Sequence, residues 1–420
     1  MRHFGIVSPP VPGHIHPMSA LGRELISRGH RVTYFQVVDL AAKIASEGLD
    51  FQPIGESDNP RGSLPESLRA LGQLKGQAAL RFTIQAVAKT TTMTCRDLPD
   101  AVRRAGIDAL LVDQMEPAGG AVAEHLGLPF FTICNALAIN RDPVAPPPFT
   151  PWRYHDTVWA RWRNRVGYAI ADRQTRPIVA AVAAFRARWK LPVLNSPDDS
   201  FSKLAQICQM PKEFDFPRKN LPSGFHYVGP LRRDPPNPVP FPWERLDGRP
   251  IVYASLGTLQ NSREPVFRAI AEGCRGLGVQ LVISHGGGLT GAQADALSPD
   301  ALVVPYAPQT ALLPRAALTI THAGLNTVLD SLAAGVPLVT IPITYEQPSI
   351  ARRVEKAGCG TSLSFSSISA ESIRAAAAAL RRDSRYATAA GAMREATLKA
   401  GGTLRAAEII EVGTSQSPQR

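Results

Sequence analysis

Residues 1–38, MRHFGIVSPPVPGHIHPMSALGRELISRGHRVTYFQVV, decide the fold class. Apolar runs from Arg2 to Val7 and from Arg31 to Val38 have the make-up of strands. Between them Met18 to Arg28 has the apolar spacing of a helix that stops at Gly29. Strand, helix and strand in that order make a β-α-β unit. The alternation continues outward: Ala109 to Val112 reads as a short buried strand, Ala118 to Leu126 as a helix stopped by Gly127, and Phe130 to Cys134 as a further strand. A parallel sheet with helices on both faces follows.

Between Val228 and Pro250 the character changes. Pro230, Pro235, Pro236, Pro238, Pro240, Pro242 and Pro250 crowd together with Gly229 and Gly248, the composition of a strap between domains. Alternation restarts at Ile251–Ser255, followed by a helix near Glu264 to Cys274 and strands at Val279 to Ser284, Leu302 to Pro305 and Leu318 to Thr321. A helix from about Asn326 to Ala334 and a strand at Leu338 to Ile341 complete the pattern. Ser369 to Arg382 and Tyr386 to Val412 have high helix propensity, and the last helix is placed to cross back onto the first domain. The expected architecture is α/β, with two Rossmann-like parallel-sheet domains facing across a cleft. Residues 1–227 form the first, 228–250 the Pro-rich strap and 251–400 the second. Residues 401–420 form a C-terminal helix with a disordered tail from Ser415 to Arg420. Such sheets bind ligands at the carboxyl ends of their strands.

The 420 residues carry 46 Lys+Arg against 35 Asp+Glu, a formal net charge of +11. That balance suits nucleic acid, an anionic membrane or a phosphate-bearing substrate. No nucleic-acid reading motif is present, so nucleic acid is set aside. No run of 18 or more apolar residues exists, and Pro9, Pro10, Pro12 and Pro17 interrupt the start, so neither a spanning helix nor a signal peptide is expected. Cys95, Cys134, Cys208, Cys274 and Cys359 form no CxxC pair and no metal-ligand spacing; they read as core thiols in a reducing cytoplasm.

Two strand-to-helix junctions of the second half have the chemistry of an anion site. Ser255-Leu256-Gly257-Thr258 follows a strand directly, with a glycine that lets backbone approach an oxyanion and hydroxyls that donate to it. His322-Ala323-Gly324-Leu325-Asn326-Thr327 adds an imidazole and a tight turn at a helix N-terminus, where free amides and the dipole favour phosphate. Simple capping of that helix by Asn326 or Thr327 fits the same residues. Asp330, one turn on, suits ribose hydroxyls. Tyr306-Ala307-Pro308-Gln309 offers an aromatic face for a base, and Glu346 with Gln347 suits the hydroxyls of a sugar. Gly286-Gly-Gly288-Leu-Thr-Gly291 satisfies G-x-G-x-x-G but is not the first turn of its domain, and no acidic residue ends the next strand. It reads as a flexible loop.

In the first half, Pro9 to Pro17 follows the first strand and brings imidazole to the cleft. A histidine near its ordinary pKa is the usual general base for a hydroxyl. Asp113, ending a buried strand, is suited to hold the far nitrogen of His14. A turn histidine and a capping carboxylate account for the same two residues, and His16 competes with His14.

Taken in order and spacing, Tyr306-Ala-Pro-Gln309, His322-Ala-Gly-Leu-Asn-Thr327, Asp330-Ser331, Gly335-Val-Pro337 and Glu346-Gln347 resemble the donor-binding signature of the family 1 UDP-glycosyltransferases, enzymes of GT-B fold. The resemblance covers the whole chain. Pro12-Gly-His14 with Pro17 resembles that family's N-terminal motif, whose histidine is the catalytic base, and Asp113 falls where its partner aspartate stands. Asp113-Gln-Met-Glu-Pro-Ala-Gly-Gly120, Leu204-Ala-Gln-Ile207, Asp215-Phe-Pro-Arg218 and Phe225-His-Tyr-Val-Gly-Pro-Leu231 resemble the bacterial branch that glucosylates the carotenoid zeaxanthin. The chain departs from many plant members at Tyr306 and Leu325, where they have tryptophan, and at Asp330, where they have glutamate. The resemblance implies inverting transfer of glucose from UDP-glucose, without metal or other cofactor, to a hydroxyl of a hydrophobic acceptor. A carotenoid leads; a flavonoid, a macrolide or another phenolic natural product is the alternative. His14 and Asp113 are the implied catalytic pair. Donor contacts are implied from Gly13, Tyr306, Ala307, Gln309, His322, Gly324, Leu325, Asn326, Thr327, Asp330, Glu346 and Gln347, with Ser255, Gly257 and Thr258 beside them.

Trp152-Arg-Tyr154, Trp159, Arg161-Trp162-Arg163 and Arg165 interleave aromatic and basic residues after a Pro-rich loop. They suit a dip into the inner, anionic face of a membrane, or a solvated helix with some tryptophan packed inward. A nucleotide-sugar epimerase and a non-catalytic carrier of an apolar ligand also fit parts of the pattern. The intact His14, Asp113 and His322 set argues against the carrier.

Overall fold

Two all-parallel sheets form in a computed structural model that describes residues 1–74, 76–234, 236–258 and 261–415. The first has strands β1 (His3–Val7), β2 (Arg31–Gln36), β3 (Asp50–Pro53), β4 (Ala109–Asp113), β5 (Phe130–Cys134), β6 (Gln206–Cys208) and β7 (Phe225–Tyr227), in the order β3-β2-β1-β4-β5-β6-β7. The second has β8 (Ile251–Ser255), β9 (Gln280–Ser284), β10 (Ala301–Val304), β11 (Ala316–Thr321), β12 (Leu338–Thr340) and β13 (Gly360–Ser362), in the order β10-β9-β8-β11-β12-β13. In each sheet the chain winds outward from a central strand and then starts again on its other side. A crevice opens at that switch point, between β1 and β4 and between β8 and β11.

The central strands are buried on both faces, which is why they read as continuous apolar runs. Phe4, Ile6 and Leu111 face one core; Val7, Leu110 and Val112 face the other. The first helix runs Pro12–Ser27 and so begins before the expected Met18. Proline is favoured in the first helical turn, where an N–H would be unbonded in any case. The helix Pro117–Leu126 ends at Gly127, whose left-handed φ of 60° suits glycine. The helices Ser63–Gln73 and Gly76–Ala105 have no counterpart in the sequence reading.

After β13 come helices Ala370–Arg382, Ser384–Ala400 and Gly402–Ser415. The helical stretch expected from Tyr386 to Val412 is divided where Gly401 and Gly402 take left-handed φ of 88° and 57°, next to the expected start of the C-terminal helix at residue 401. The last helix buries Ala406, Ala407 and Ile410 in the core of the first sheet, and its Glu411 meets Arg28 and His30. Ser415 closes this helix instead of starting a disordered tail, and the rest of the expected tail, 416–420, lies outside the described residues. In the strap, Val228 and Leu231 are anchored in the same core, and Pro235 lies outside the described residues.

The two halves share one apolar cluster, in which Cys134, Leu137, Met210 and Phe214 interleave with Leu325, Val328 and Ile350. Beside it the buried carboxylate of Asp215 accepts from Arg353 Nη2 (2.8 Å) and Nε (3.0 Å) of the second half, and from Arg218 Nε and Tyr227 Oη, both at 2.8 Å. All five cysteines are free and buried. Among the described residues no helix is long and apolar enough to cross a membrane.

Removing the shared acceptor leaves two buried guanidinium groups short of their counter-charge. Asp215→Ala is expected to destabilise the protein by roughly 3–5 kcal/mol, read from urea unfolding, while Arg405→Ala, which loses an exposed pair with Glu408, leaves the midpoint in place.

Candidate active site

The two crevices meet. From the first comes His14, in the opening turn of the helix after β1, and Asp113, the last residue of β4. Topology alone makes them neighbours, because β1 and β4 are adjacent strands that end at the same edge. His14 Nδ1 lies 2.7 Å from Asp113 Oδ2, so the carboxylate fixes the proton on Nδ1 and leaves Nε2 as a free base. Asp113 is fully buried; its Oδ2 also accepts from Asn135 Nδ2 (2.6 Å) and its Oδ1 from the Met115 N–H (2.8 Å). Burial by itself lowers the pKa of His14, but the charge and hydrogen bond of Asp113 outweigh it, with help from Glu346, and hold the imidazole above its ordinary 6.5. His16 points elsewhere, 3.3 Å from Glu47, and so does not compete.

From the second crevice come the Ser255–Thr258 loop after β8 and His322 after β11. The His322 ring is clamped between two glycines. A side chain at Gly257 would begin 2.7 Å from it and one at Gly324 2.5 Å, so both positions need glycine. Burial drives the His322 pKa down to about 4, so this imidazole is neutral at physiological pH. Ala323 holds a left-handed φ of 64°, backbone strain of the kind that clusters at functional turns. The helix begins at Leu325, whose side chain lies in the shared apolar cluster; what Leu325 offers a ligand is backbone. Thr258 is exposed beside residues 259–260, which are outside the described residues.

On this helix Asn326 and Asp330, four residues apart, share a face. Gln309 donates from Nε2 to Asp330 Oδ2 (2.5 Å) and accepts from Thr327 Oγ1 (3.2 Å). Tyr306 is 54% exposed, free enough to stack a base, and its hydroxyl donates to the Gly286 carbonyl (3.3 Å). Gly286 to Thr290 is thus a loop beside this crevice, pinned by Asn261 Nδ2 at the carbonyls of His285 and Gly286, and Gly291 opens the short helix Gly291–Asp295. Ala307 packs under the β8–β10 core.

The halves touch across the site. Asn326 Nδ2 donates to the Gly13 carbonyl at 2.8 Å. That carbonyl is available because Pro17, four residues on, has no N–H to return to it. Glu346 accepts from the Leu137 N–H of the first half (3.0 Å), and burial raises its pKa. Gln347 spends its Oε1 on the N–H groups of Ile343 and Thr344, at 2.8 and 2.9 Å, so only its Nε2 is left for the expected sugar contact.

Three residues that the sequence reading did not single out belong here. Asn135 orients Asp113; Gln209 and Arg232 reach Asn326. Asn135 follows the last residue of β5, a strand-end position that could have marked it, whereas no local signal points to Gln209 or Arg232. The aromatic and basic stretch divides. Trp152 lies under Arg163 and against Gly167, while Trp159 and Trp162, on the helix Val158–Gln174, stay 80% and 59% exposed.

The profile of the family described as "UDP-glucoronosyl and UDP-glucosyl transferase" matches residues 65–399. The chain is 38% identical over 417 residues to a zeaxanthin glucosyltransferase of Pantoea ananas, covering 98% of this chain and 96% of that one. It is 39% identical over 416 residues to one of Pseudescherichia vulneris, covering 98% of each. The crystal structure of CalG4, the calicheamicin glycosyltransferase, superposes over all of both chains with a TM-score of 0.77 at 22% identity. The chain belongs to the UDP-glucuronosyl and UDP-glucosyl transferase family, built on the GT-B fold.

Proposed function

We propose that the protein transfers glucose from UDP-glucose to a hydroxyl of zeaxanthin or a closely similar carotenoid, with inversion at the anomeric carbon. The observation that carries this reading is the His14–Asp113 pair set directly against the donor helix through Asn326 and Gly13. The acceptor class comes from the two zeaxanthin glucosyltransferases that align end to end with this chain.

In this reading uracil lies on Tyr306, ribose by Asp330, and the diphosphate at His322, Asn326, Thr327 and the Ser255–Thr258 loop. The acceptor oxygen attacks the anomeric carbon as His14 Nε2 takes its proton. The bond from that carbon to the diphosphate oxygen breaks on the opposite face, and its electron pair leaves with UDP. The imidazolium is held by Asp113 and returns its proton to solvent. The diphosphate meets helix N–H groups and hydroxyls, so the reading needs no metal.

The acceptor is water-insoluble, and the helix Val158–Gln174 supplies a contact for the surface that holds it. Val158, Trp159, Trp162, Val166 and Ile170 form an exposed stripe at helical spacing, flanked by Arg161, Arg165 and Arg173. We read this stripe as a peripheral contact with anionic lipid.

The direct test is UDP release from UDP-glucose with dispersed zeaxanthin, run beside a soluble polyphenol. Zeaxanthin-dependent release is expected, reduced about 10²–10⁴-fold in His14→Ala; release with the polyphenol alone would discard the carotenoid. Neutral His14 is the reactive form, so activity falls as pH drops through its raised pKa. The acid limb of kcat/KM is expected above 6.5. Asp113→Asn removes the larger of the two charges that raise it, so the limb should move down in pH while kcat falls. In flotation, wild type is expected on phosphatidylglycerol vesicles and not on phosphatidylcholine, with binding lost in Trp159→Ser/Trp162→Ser; equal recovery on both lipids would remove the membrane contact.

A further inference from the structure

The donor face of the helix Leu325–Ala333 is met by a cation that the sequence motifs do not include. Arg232 lies in the strap, and its backbone is fixed: Leu231 before it is buried in the first core, and the Arg232 carbonyl accepts from Thr403 Oγ1 at 2.8 Å. The side chain crosses to the second half. Its Nε donates to Asp330 Oδ1 (2.6 Å), its Nη2 to Asn326 Oδ1 (3.1 Å) and the Asn326 carbonyl (3.3 Å), and its Nη1 to Gln209 Oε1 (3.2 Å) and the Leu231 carbonyl (2.8 Å). Among the described residues that hydrogen-bond to the side chains of Asn326, Thr327 and Asp330, Arg232 alone carries a permanent charge. The His322 imidazole is neutral, and the other groups at the phosphate position are amides and hydroxyls. A diphosphate brings two or more negative charges into this crevice. The five N–H groups of Arg232 are engaged within the protein, so what it offers a phosphate is a guanidinium charge that no physiological pH removes.

We infer that Arg232 is a donor-binding residue: held on the helix face by Asp330 and Asn326, its guanidinium supplies the counter-charge for the diphosphate of the nucleotide sugar. The inference rests on the donor site proposed above and extends it to a residue of the strap. Because the strap also joins the domains, the same side chain ties the charge of the donor to the contact between the two halves.

The test compares uridine with UDP, which differ by the diphosphate alone, by calorimetry on the full chain. In wild type UDP is expected to bind more tightly than uridine, with a steeper salt dependence. Arg232→Met should weaken UDP about ten- to a hundredfold and leave uridine within about twofold, and Arg232→Lys should recover part of the loss. Unchanged uridine affinity also shows that the variant site is folded. Equal weakening of both ligands would assign Arg232 a structural role and overturn the inference. Undiminished or tighter UDP binding in Arg232→Met would overturn it as well, the tighter case marking Arg232 as a competitor for Asp330. Wild-type protein that binds neither ligand would bring down the donor site itself, and this inference with it.

Discussion

Two guanidinium groups from opposite halves of the chain share one buried carboxylate, and the alignment of the site depends on that sharing. Asp215 comes from the first half, Arg353 from the second, and Arg218 completes the triad. Taking three charges out of water is costly unless every hydrogen bond is replaced. Here the replacement is thorough: Arg353 also bonds Ser349 and lies 4.0 Å over the Phe216 ring, and Arg218 donates to the carbonyls of Ala138 and Asn140. The guanidinium groups hold the Asp215 carboxyl far below the usual carboxylate range against the opposing effect of burial. A network that tolerates no missing partner fixes geometry better than an apolar contact of the same area, and what it fixes is the position of the helix Gln347–Lys356 on the loop after β6. Glu346, which precedes that helix, then reaches Leu137, and Asn326 reaches Gly13.

Within each half, parallel topology does the positioning. Both sheets reverse their winding next to the first strand of the domain, and the paired junctions His14 with Asp113, and Gly257 with His322, are those two reversals. In the proposed reading, catalytic and phosphate-side chemistry therefore arise from one architectural rule applied twice. The small residues follow from it. Gly257 and Gly324 are glycines because the His322 ring fills the space a side chain would need, and Pro17 is useful because it frees the Gly13 carbonyl.

Those features were readable in the sequence to the extent that they are local. Alternating strands and helices, the Pro-rich strap, His14 and Asp113 at strand ends, and the His322–Thr327 turn all announce themselves by pattern. Residues whose role depends on a distant segment do not. Arg232 looks like one more arginine in a chain that has 37 of them among its 46 cations, and it gains meaning only when the strap lies across the helix Leu325–Ala333. Gln347 shows the reverse case, a residue in the right motif whose carbonyl oxygen is already spent on its own loop. The start of the first helix was missed because proline reads as a breaker, although in the first turn it is a favoured residue. The helix Gly76–Ala105 was missed because much of it carries no clear apolar stripe: its buried residues are confined to Thr91–Val102.

The charges of the site are sorted by side, and that sorting suits a reaction that separates charge. The proposed transfer from a nucleotide sugar makes His14 positive and the leaving diphosphate more negative. Around His14 the structure gathers Asp113 and Glu346, whose fields raise its pKa, and Glu116 lies buried behind them with its own pKa pushed up to about 7. Glu116 shows that this corner is dry and already negative, since burial, with a smaller contribution from Asp113, disfavours a further negative charge there and outweighs the Ala118 N–H that favours it. An imidazolium forming in that corner is stabilised without reorganisation. Across the cleft the order is reversed: in the proposed reading Arg232, helix amides and a neutral His322 lie on the side of the diphosphate, with Asp330 paired to Arg232. Fixed charges arranged this way favour the separated products of proton and phosphate movement over the neutral starting arrangement, which is the electrostatic form that catalysis takes when a site is set before its substrate arrives.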